Sequence, residues 1–365
     1  MSGISRRQWI RKSLLSSSAV LIGGEVFKGL ERRALPPQSS PGAIRLHWNE
    51  NPYGPSKKAL EAISAVLAEA NHYPDPIVEK LKNKLAKKHR LSQENILITA
   101  GSTEILSLLG QHVGLIKGEI LMPWPSFPTM ANFGEVCGAS IRKVNIGADD
   151  CIDLNKLLPS VNDQTSLIFI CNPNNPTSTE VNTSDLKSFC RAVPEHVLIC
   201  IDEAYIEYSL NGSLGSLVSL VDELPNLVIS RTFSKVYGLA GLRIGYAVSH
   251  KNNITALRSR HTGYEHSAGT APLIGAITTV EDQEFVQYCL RKNEEGRRIV
   301  SKAFEDWGVE YAPSSTNFIY AKSRYFDPDI RAKLRADHIL ITKWRTMKDH
   351  IRISIGKPEE MRIVC

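Results

Sequence analysis

Leu227-Val228-Ile229-Ser230-Arg231-Thr232-Phe233-Ser234-Lys235-Val236-Tyr237-Gly238-Leu239-Ala240-Gly241-Leu242-Arg243-Ile244-Gly245-Tyr246-Ala247-Val248 joins two short apolar runs through a loop rich in hydroxyls and glycine. Both runs carry apolar residues at consecutive positions, the pattern of strands covered on two faces rather than one. The pattern recurs at 96–99, 119–122, 167–170 and 197–201. Helix-like stretches lie between these runs. In 56–70, Leu60, Ile63, Val66 and Leu67 fall on one face and Ser56 stands as a plausible N-cap; 77–89 repeats the spacing and ends in basic residues. Strands and helices in alternation imply an α/β fold, a mostly parallel central sheet flanked by helices.

The chain has 365 residues, a length that suggests about two domains. From about Asp282 the pattern changes to a long helix, 285–307, followed by strand-like 317–321 and 351–355. This predicts a second, smaller α+β domain. We divide the chain into a leader (1–34), a large domain (72–270), and a small domain built from 35–71 and 271–365. Hydrophobic residues form 42% and charged residues 22% of the chain, which excludes disordered and fibrous classes. The net charge is +6, but residues 1–33 hold seven Lys/Arg and two acids, so the leader carries +5 and the rest +1. The body is therefore not a binder of nucleic acid. Seven cysteines show no C-x-x-C spacing, which argues against zinc and disulfide frameworks, and Cys171 and Cys200 read as buried small hydrophobes.

In an open parallel sheet, ligands gather beyond the carboxyl ends of strands. After 96–99 come Gly101, Ser102 and Thr103, a turn opening a helix, which is either an ordinary cap or a phosphate site. After 167–170 comes Cys171-Asn172-Pro173-Asn174-Asn175-Pro176-Thr177; its prolines offer no amide hydrogens, so the asparagines serve either the local turn or a ligand. Asp202 ends the apolar run 197–201, where a buried carboxylate is costly unless a cation or strong donor meets it. Lys235, in its hydroxyl-rich loop with Arg243 eight residues on, is set for a lowered pKa and imine chemistry.

These pieces, in this order, resemble the fold-type I pyridoxal-phosphate aminotransferases, in particular the histidinol-phosphate aminotransferase branch. The resemblance covers 46–356 and rests chiefly on Asn174-Asn175-Pro176-Thr177, Asp202-Glu203-Ala204-Tyr205 and the lysine loop, with 33 residues from Asp202 to Lys235. It implies an aspartate aminotransferase-like fold and transfer of an amino group from a small-molecule amino donor to a 2-oxo acid acceptor such as 2-oxoglutarate. It further implies that Lys235 joins the cofactor aldehyde and moves protons, that Asp202 meets the pyridine nitrogen, and that Tyr205 and Asn175 bond the phenolic oxygen. Ser102, Thr103, Thr232, Ser234 and Arg243 would hold the phosphate, and Phe127, favoured by register over Trp124, would stack on the ring. Tyr73 would reach the phosphate of the neighbouring subunit in a homodimer. On the substrate side, Arg352 would bind the acidic group, with Arg345 as a second anion contact. The segment Asn49-Glu50-Asn51-Pro52-Tyr53-Gly54-Pro55 would close over the substrate, Asn51 touching it. Two rivals remain: a decarboxylase, lyase or oxidase using the same cofactor, and a non-catalytic exported binding protein.

Arg6-Arg7 before the diluted apolar run 14–24 resembles a twin-arginine export signal. Eleven residues are too few to cross a hydrocarbon core of ~30 Å as a helix, so no stable membrane span is expected. The expected location is the periplasm or beyond; without a functional signal, the cytoplasm.

Overall fold

The computed structural model describes residues 42–210, 212–261, 267–342 and 349–365. The leader 1–34 and Arg345 lie outside the described residues. Along the chain run β1 (Ile44–Leu46), α1 (Lys57–Val66), α2 (Asp75–His89), β2 (Ile96–Thr99), α3 (Ser102–Leu115), β3 (Glu119–Trp124), α4 (Thr129–Val136), β4 (Ser140–Asn145), α5 (Leu154–Leu157), β5 (Thr165–Cys171), α6 (Thr183–Ala192) and β6 (Leu198–Asp202). There follow β7 (Leu227–Thr232), β8 (Gly245–Ser249), α7 (Lys251–Arg258), α8 (Thr270–Glu281), α9 (Gln283–Asp306), β9 (Tyr311–Ala312), β10 (Phe318–Lys322), α10 (Ile330–Ala336), β11 (Ile339–Ile341), β12 (His350–Ser354) and α11 (Pro358–Val364).

Seven strands form the main sheet in the order β2-β8-β7-β6-β5-β3-β4. All run parallel except β8, which is antiparallel to both neighbours. The consecutive apolar residues of β5 to β7 are explained by cover on both faces: one cluster contains Ile168, Ile170, Ile199, Ile201 and Ile229, the other Leu167, Phe169, Cys200 and Val228. Cys171 and Cys200 are buried thiols. The strand β4 was not foreseen. Its Ser140-Ile141-Arg142-Lys143-Val144-Asn145 is an edge strand, mostly open to solvent, so it lacks the apolar run that marks the inner strands.

A separate cluster of Leu46, Val300, Phe304, Ile319, Ile341, Ile351, Ile353 and Met361 packs the smaller sheets, β12-β10-β9 and the parallel pair β1-β11. The expected domain boundary needs a correction. Leu273, Ala276 and Ile277 of α8, and Val286 and Cys289 of α9, belong to the core of the main sheet. The long helix α9 therefore begins in the large core and ends in the small one, and 271–289 is large-domain structure.

Reversal of β8 has a direct consequence for the site. The carboxyl ends of β2, β3, β5, β6 and β7 and the amino end of β8 all open on the same edge, so the residues following the first five and preceding the last converge there. Among the described residues, no helix is long and apolar enough to cross a membrane.

Helices α3 and α4 approach closely at Gly110, where a Cβ would lie 2.4 Å from the Met130 carbonyl oxygen. Since that obstacle is backbone, Gly110→Ala must push the helices apart and cost about 1–3 kcal/mol. Thermal unfolding should show a lower midpoint; an unchanged midpoint contradicts the packing.

Candidate active site

Asp202 is the last residue of β6, only 2% exposed, and its Oδ1 has no hydrogen-bond partner among the described residues. Burial raises its carboxyl to about 7. Lys235 follows β7 by three residues, and its Nζ lies 3.4 Å from the Trp48 carbonyl oxygen and 5.4 Å from the Tyr205 ring centre. Burial lowers this amine to about 8, helped by Arg352 and Arg243 and opposed by Glu50 and Asp202. Each of Asp202 and Lys235 favours the charged form of the other, as expected of two groups at and just beyond the ends of adjacent strands on one edge of the sheet. Tyr205 is buried, its hydroxyl accepting from Asn49 Nδ2 at 3.0 Å.

A cradle sits beside them. Gly101 caps α3 at φ +85° and supplies no side-chain cap, leaving the first amides of the helix facing outward. The Arg243 guanidinium spans the gap: Nη2 donates to Thr103 Oγ1 at 3.3 Å and Nη1 to Ser234 Oγ at 3.4 Å and to the Ala240 carbonyl at 2.9 Å. Thr232 Oγ1 donates to Ser234 Oγ at 2.8 Å. A Cβ on Gly101 would lie 2.7 Å from Arg243 Nη2, and one on Gly245 would lie 2.6 Å from the Ser102 amide nitrogen. Helix amides, three hydroxyls and a forked cation make a site for a phosphate.

The opposite wall comes from the small domain and the segment after β1. Arg352 of β12 is 5% exposed; its Nη1 donates to Asn175 Oδ1 at 2.8 Å and its Nη2 to the His47 carbonyl at 2.7 Å. Asn175, expected on the cofactor's phenolic oxygen, is thus tied to the substrate-side arginine. Asn51 departs from its expected role. Its Nδ2 donates to the Val236 carbonyl at 2.7 Å and to Cys289 Sγ, and its Oδ1 accepts from the Tyr53 amide, so its polar atoms hold the segment in place. Asn49 instead touches the site, through Tyr205 and through Ser354, whose Oγ donates to Asn49 Oδ1 at 2.9 Å.

Phe127 is partly buried against the core after β3, while Trp124 lies beneath the Lys143 ammonium, 4.1 Å from its ring centre. Asn174 spends its amide on Pro125 and Thr177 and accepts from Ser126, a structural knot. Tyr73 precedes α2 and is 83% exposed.

The family model for aminotransferase class I and II matches residues 41–365. The chain belongs to this family. It is 35% identical over 319 residues to a histidinol-phosphate aminotransferase of Brevibacillus brevis, covering 87% of each chain. It is likewise 35% identical over 325 residues to an aromatic amino acid aminotransferase of Mycolicibacterium smegmatis, covering 89% of each. Among solved structures, the histidinol-phosphate aminotransferase of Sinorhizobium meliloti in complex with pyridoxal-5'-phosphate superposes with a TM-score of 0.78 at 29% identity, over 88% of this chain and 92% of that one. The fold is aspartate aminotransferase-like, and this member of the family is a pyridoxal-phosphate-dependent aminotransferase. The residues present fit that cofactor: an acid with one oxygen free of hydrogen bonds among the described residues suits a ring cation, burial favours the uncharged amine of Lys235, and the cradle is shaped for phosphate.

Two outcomes follow from this geometry. Because Asp202 rises from 3.8 to about 7 on folding, the cofactor-free fold keeps a proton that the unfolded chain gives up, and stability is lost as pH rises through that window. Asp202→Asn should leave the thermal midpoint of the cofactor-free protein nearly unchanged below the lower value and raise it above the upper one; equal shifts at both would contradict the burial argument. Gly101→Ala, strained by its φ and crowding Arg243, should weaken pyridoxal-phosphate binding about tenfold or more, read by absorbance titration, and unaltered affinity would contradict the cradle.

Proposed function

We propose that the enzyme is a homodimer that takes its amino group from a donor bearing an aromatic or imidazole ring, histidinol phosphate included, and passes it to 2-oxoglutarate. The observation that carries the catalytic reading is the convergence of Asp202, ending β6, and Lys235, three residues beyond the adjacent β7, on one edge of the sheet, each favouring the charged form of the other. Pyridoxal phosphate, when bound, supplies an aldehyde that amines can join and a protonated ring that draws electrons from the bond being broken. The Asp202 carboxylate would accept the hydrogen bond of the protonated ring nitrogen. Lys235 Nζ, lowered to about 8, is deprotonated in a useful fraction near neutral pH and takes the proton from the donor's amine-bearing carbon. Tyr205 would hold the ring oxygen through its hydroxyl, and Phe127 would stack on the ring.

Arg352 receives the substrate's acidic group. Its Asn175 and His47 contacts fix the guanidinium, which lies over the Phe318 ring at 5.4 Å from its centre, and burial lowers its pKa to about 10, so it stays charged throughout the neutral range. Ring specificity is supported by the curated relatives, which include a histidinol-phosphate and an aromatic amino acid aminotransferase. Homodimer formation is supported by exposed apolar residues within the segment 60–73, Leu60, Leu67 and Tyr73, which a second copy would cover, with Tyr73 reaching the partner's phosphate cradle. Export is supported by the basic leader, which precedes the family match at residue 41.

Stopped-flow absorbance of the loaded enzyme mixed with single donors tests the substrate reading. Phenylalanine, tyrosine, histidine and histidinol phosphate should convert the cofactor to its amine form at least about tenfold faster than alanine or aspartate. Faster conversion by aspartate, or carbon dioxide release in place of conversion, contradicts it. Cell fractionation tests export: Arg6→Lys/Arg7→Lys should retain in the cytoplasm a protein that the natural sequence delivers outside it, and an unchanged distribution contradicts the signal.

A further inference from the structure

Three buried side chains, Arg231, Glu203 and Tyr237, and the half-buried Glu207 form a polar cluster that the reaction does not use. Arg231 Nε lies 3.3 Å from Glu203 Oε2 and its Nη1 lies 3.2 Å from Glu207 Oε1, with Arg231 and Glu203 almost wholly buried. Glu203 is satisfied further by the Leu217 amide at 2.8 Å and the Ser216 hydroxyl at 2.7 Å. Tyr237, also buried, donates its hydroxyl to Glu207 Oε1 at 3.2 Å and accepts from Lys88 Nζ at 3.1 Å.

The placement of these residues is systematic. Glu203 follows Asp202, Glu207 lies two residues after Tyr205, Arg231 precedes Thr232, and Tyr237 lies two residues after Lys235. Successive strand residues point to opposite faces, so a side chain beside Asp202 or Thr232 grips the reverse of the same backbone. The register pairs Asp202 with Ser230 across β6 and β7, and the Glu203 amide donates to the Ser230 carbonyl at 2.9 Å, so the ion pair spans the two strand tips where they are hydrogen-bonded.

We propose that Glu203, Glu207, Arg231 and Tyr237 form a frame that sets the spacing between the acid, the phenol, the lysine and the phosphate cradle, making Arg231 a positioning residue of the reaction. This rests on the reading that those four groups hold the cofactor. Buried ion pairs contribute little net stability, since apolar side chains of similar volume often replace them without loss. What they supply is direction. A planar guanidinium whose Nη1 donates to Glu207 and whose Nε stands in ion-pair contact with Glu203 admits fewer arrangements than an apolar cluster does. The ring acid and the phosphate cradle must lie a fixed distance apart to meet opposite ends of one rigid molecule, and the frame joins the residue after the first to the residue before part of the second.

The test compares Arg231→Lys, Arg231→Met and the neutral pair Glu203→Leu/Arg231→Met. It measures three quantities: thermal midpoint without cofactor, affinity for pyridoxal phosphate by absorbance titration, and the pH midpoint of the visible band of the loaded protein. Arg231→Lys should weaken cofactor binding about tenfold or more and move the pH midpoint, with the donor KM little changed. The neutral pair should recover the thermal midpoint that Arg231→Met loses, yet keep the weakened binding and the moved pH midpoint. Recovery of all three in the neutral pair, or a lowered thermal midpoint with wild-type affinity and pH midpoint in Arg231→Lys, overturns the proposal and leaves a purely structural ion pair. A wild-type protein that takes up no pyridoxal phosphate would overturn the cofactor reading itself, an outcome visible before any variant is made.

Discussion

A carboxylate at the tip of an apolar strand is expensive to keep, and Asp202 is kept with one oxygen lacking a hydrogen-bond partner among the described residues. The penalty shows in its ionisation: burial outweighs the Ser230 hydroxyl and the Lys235 charge, and the group holds its proton up to about 7. A cationic ring nitrogen removes that penalty, because it returns to the carboxylate the counter-charge that folding took away. Binding energy of this kind keeps the ring protonated, the state in which it accepts electrons. The same burial acts in the opposite sense on Lys235, pushing its amine toward the uncharged form that reacts.

The sheet explains why so few residues suffice. Five parallel strands deliver their following loops to one edge, and the reversed β8 brings Arg243 back to that edge. Acid and aromatic ring thus come from the loops after β6 and β3, while the β7–β8 loop supplies the amine and, with the start of α3, the phosphate cradle, all on one platform. The substrate wall is different in kind. It is assembled from the segment after β1 and from β12, which meet through Asn49, Ser354, His47 and Arg352.

Much of this could be read in the sequence for a physical reason. Strands buried on both faces advertise themselves by consecutive apolar residues, and a charged or hydroxyl-bearing residue just beyond such a run stands out. That reasoning located Asp202, Lys235 and the loop to Arg243. It missed β4, because an edge strand facing water has no such run. It placed α8 in the small domain because it follows the last main-sheet strand, although its Leu273, Ala276 and Ile277 turn back onto the large core. Asn51 was chosen over Asn49 within one motif, and only the left-handed backbone at Asn49, φ 54°, and the packing around it show which amide enters the site. The Arg352 to Asn175 bond joins positions 177 apart, beyond any local pattern. Glu203 and Arg231 were passed over because their neighbours had already been given roles, yet alternation along a strand makes such neighbours the natural supports.

The central claim is that Asp202 and Lys235 hold one heterocycle between them. Nitrogen-15 magnetic resonance of the enzyme loaded with ring-labelled pyridoxal phosphate reports the protonation of the ring nitrogen directly. A protonated nitrogen in the wild type that becomes unprotonated in Asp202→Asn is the predicted result. A ring nitrogen unprotonated in the wild type, or unaffected by that substitution, would contradict the account.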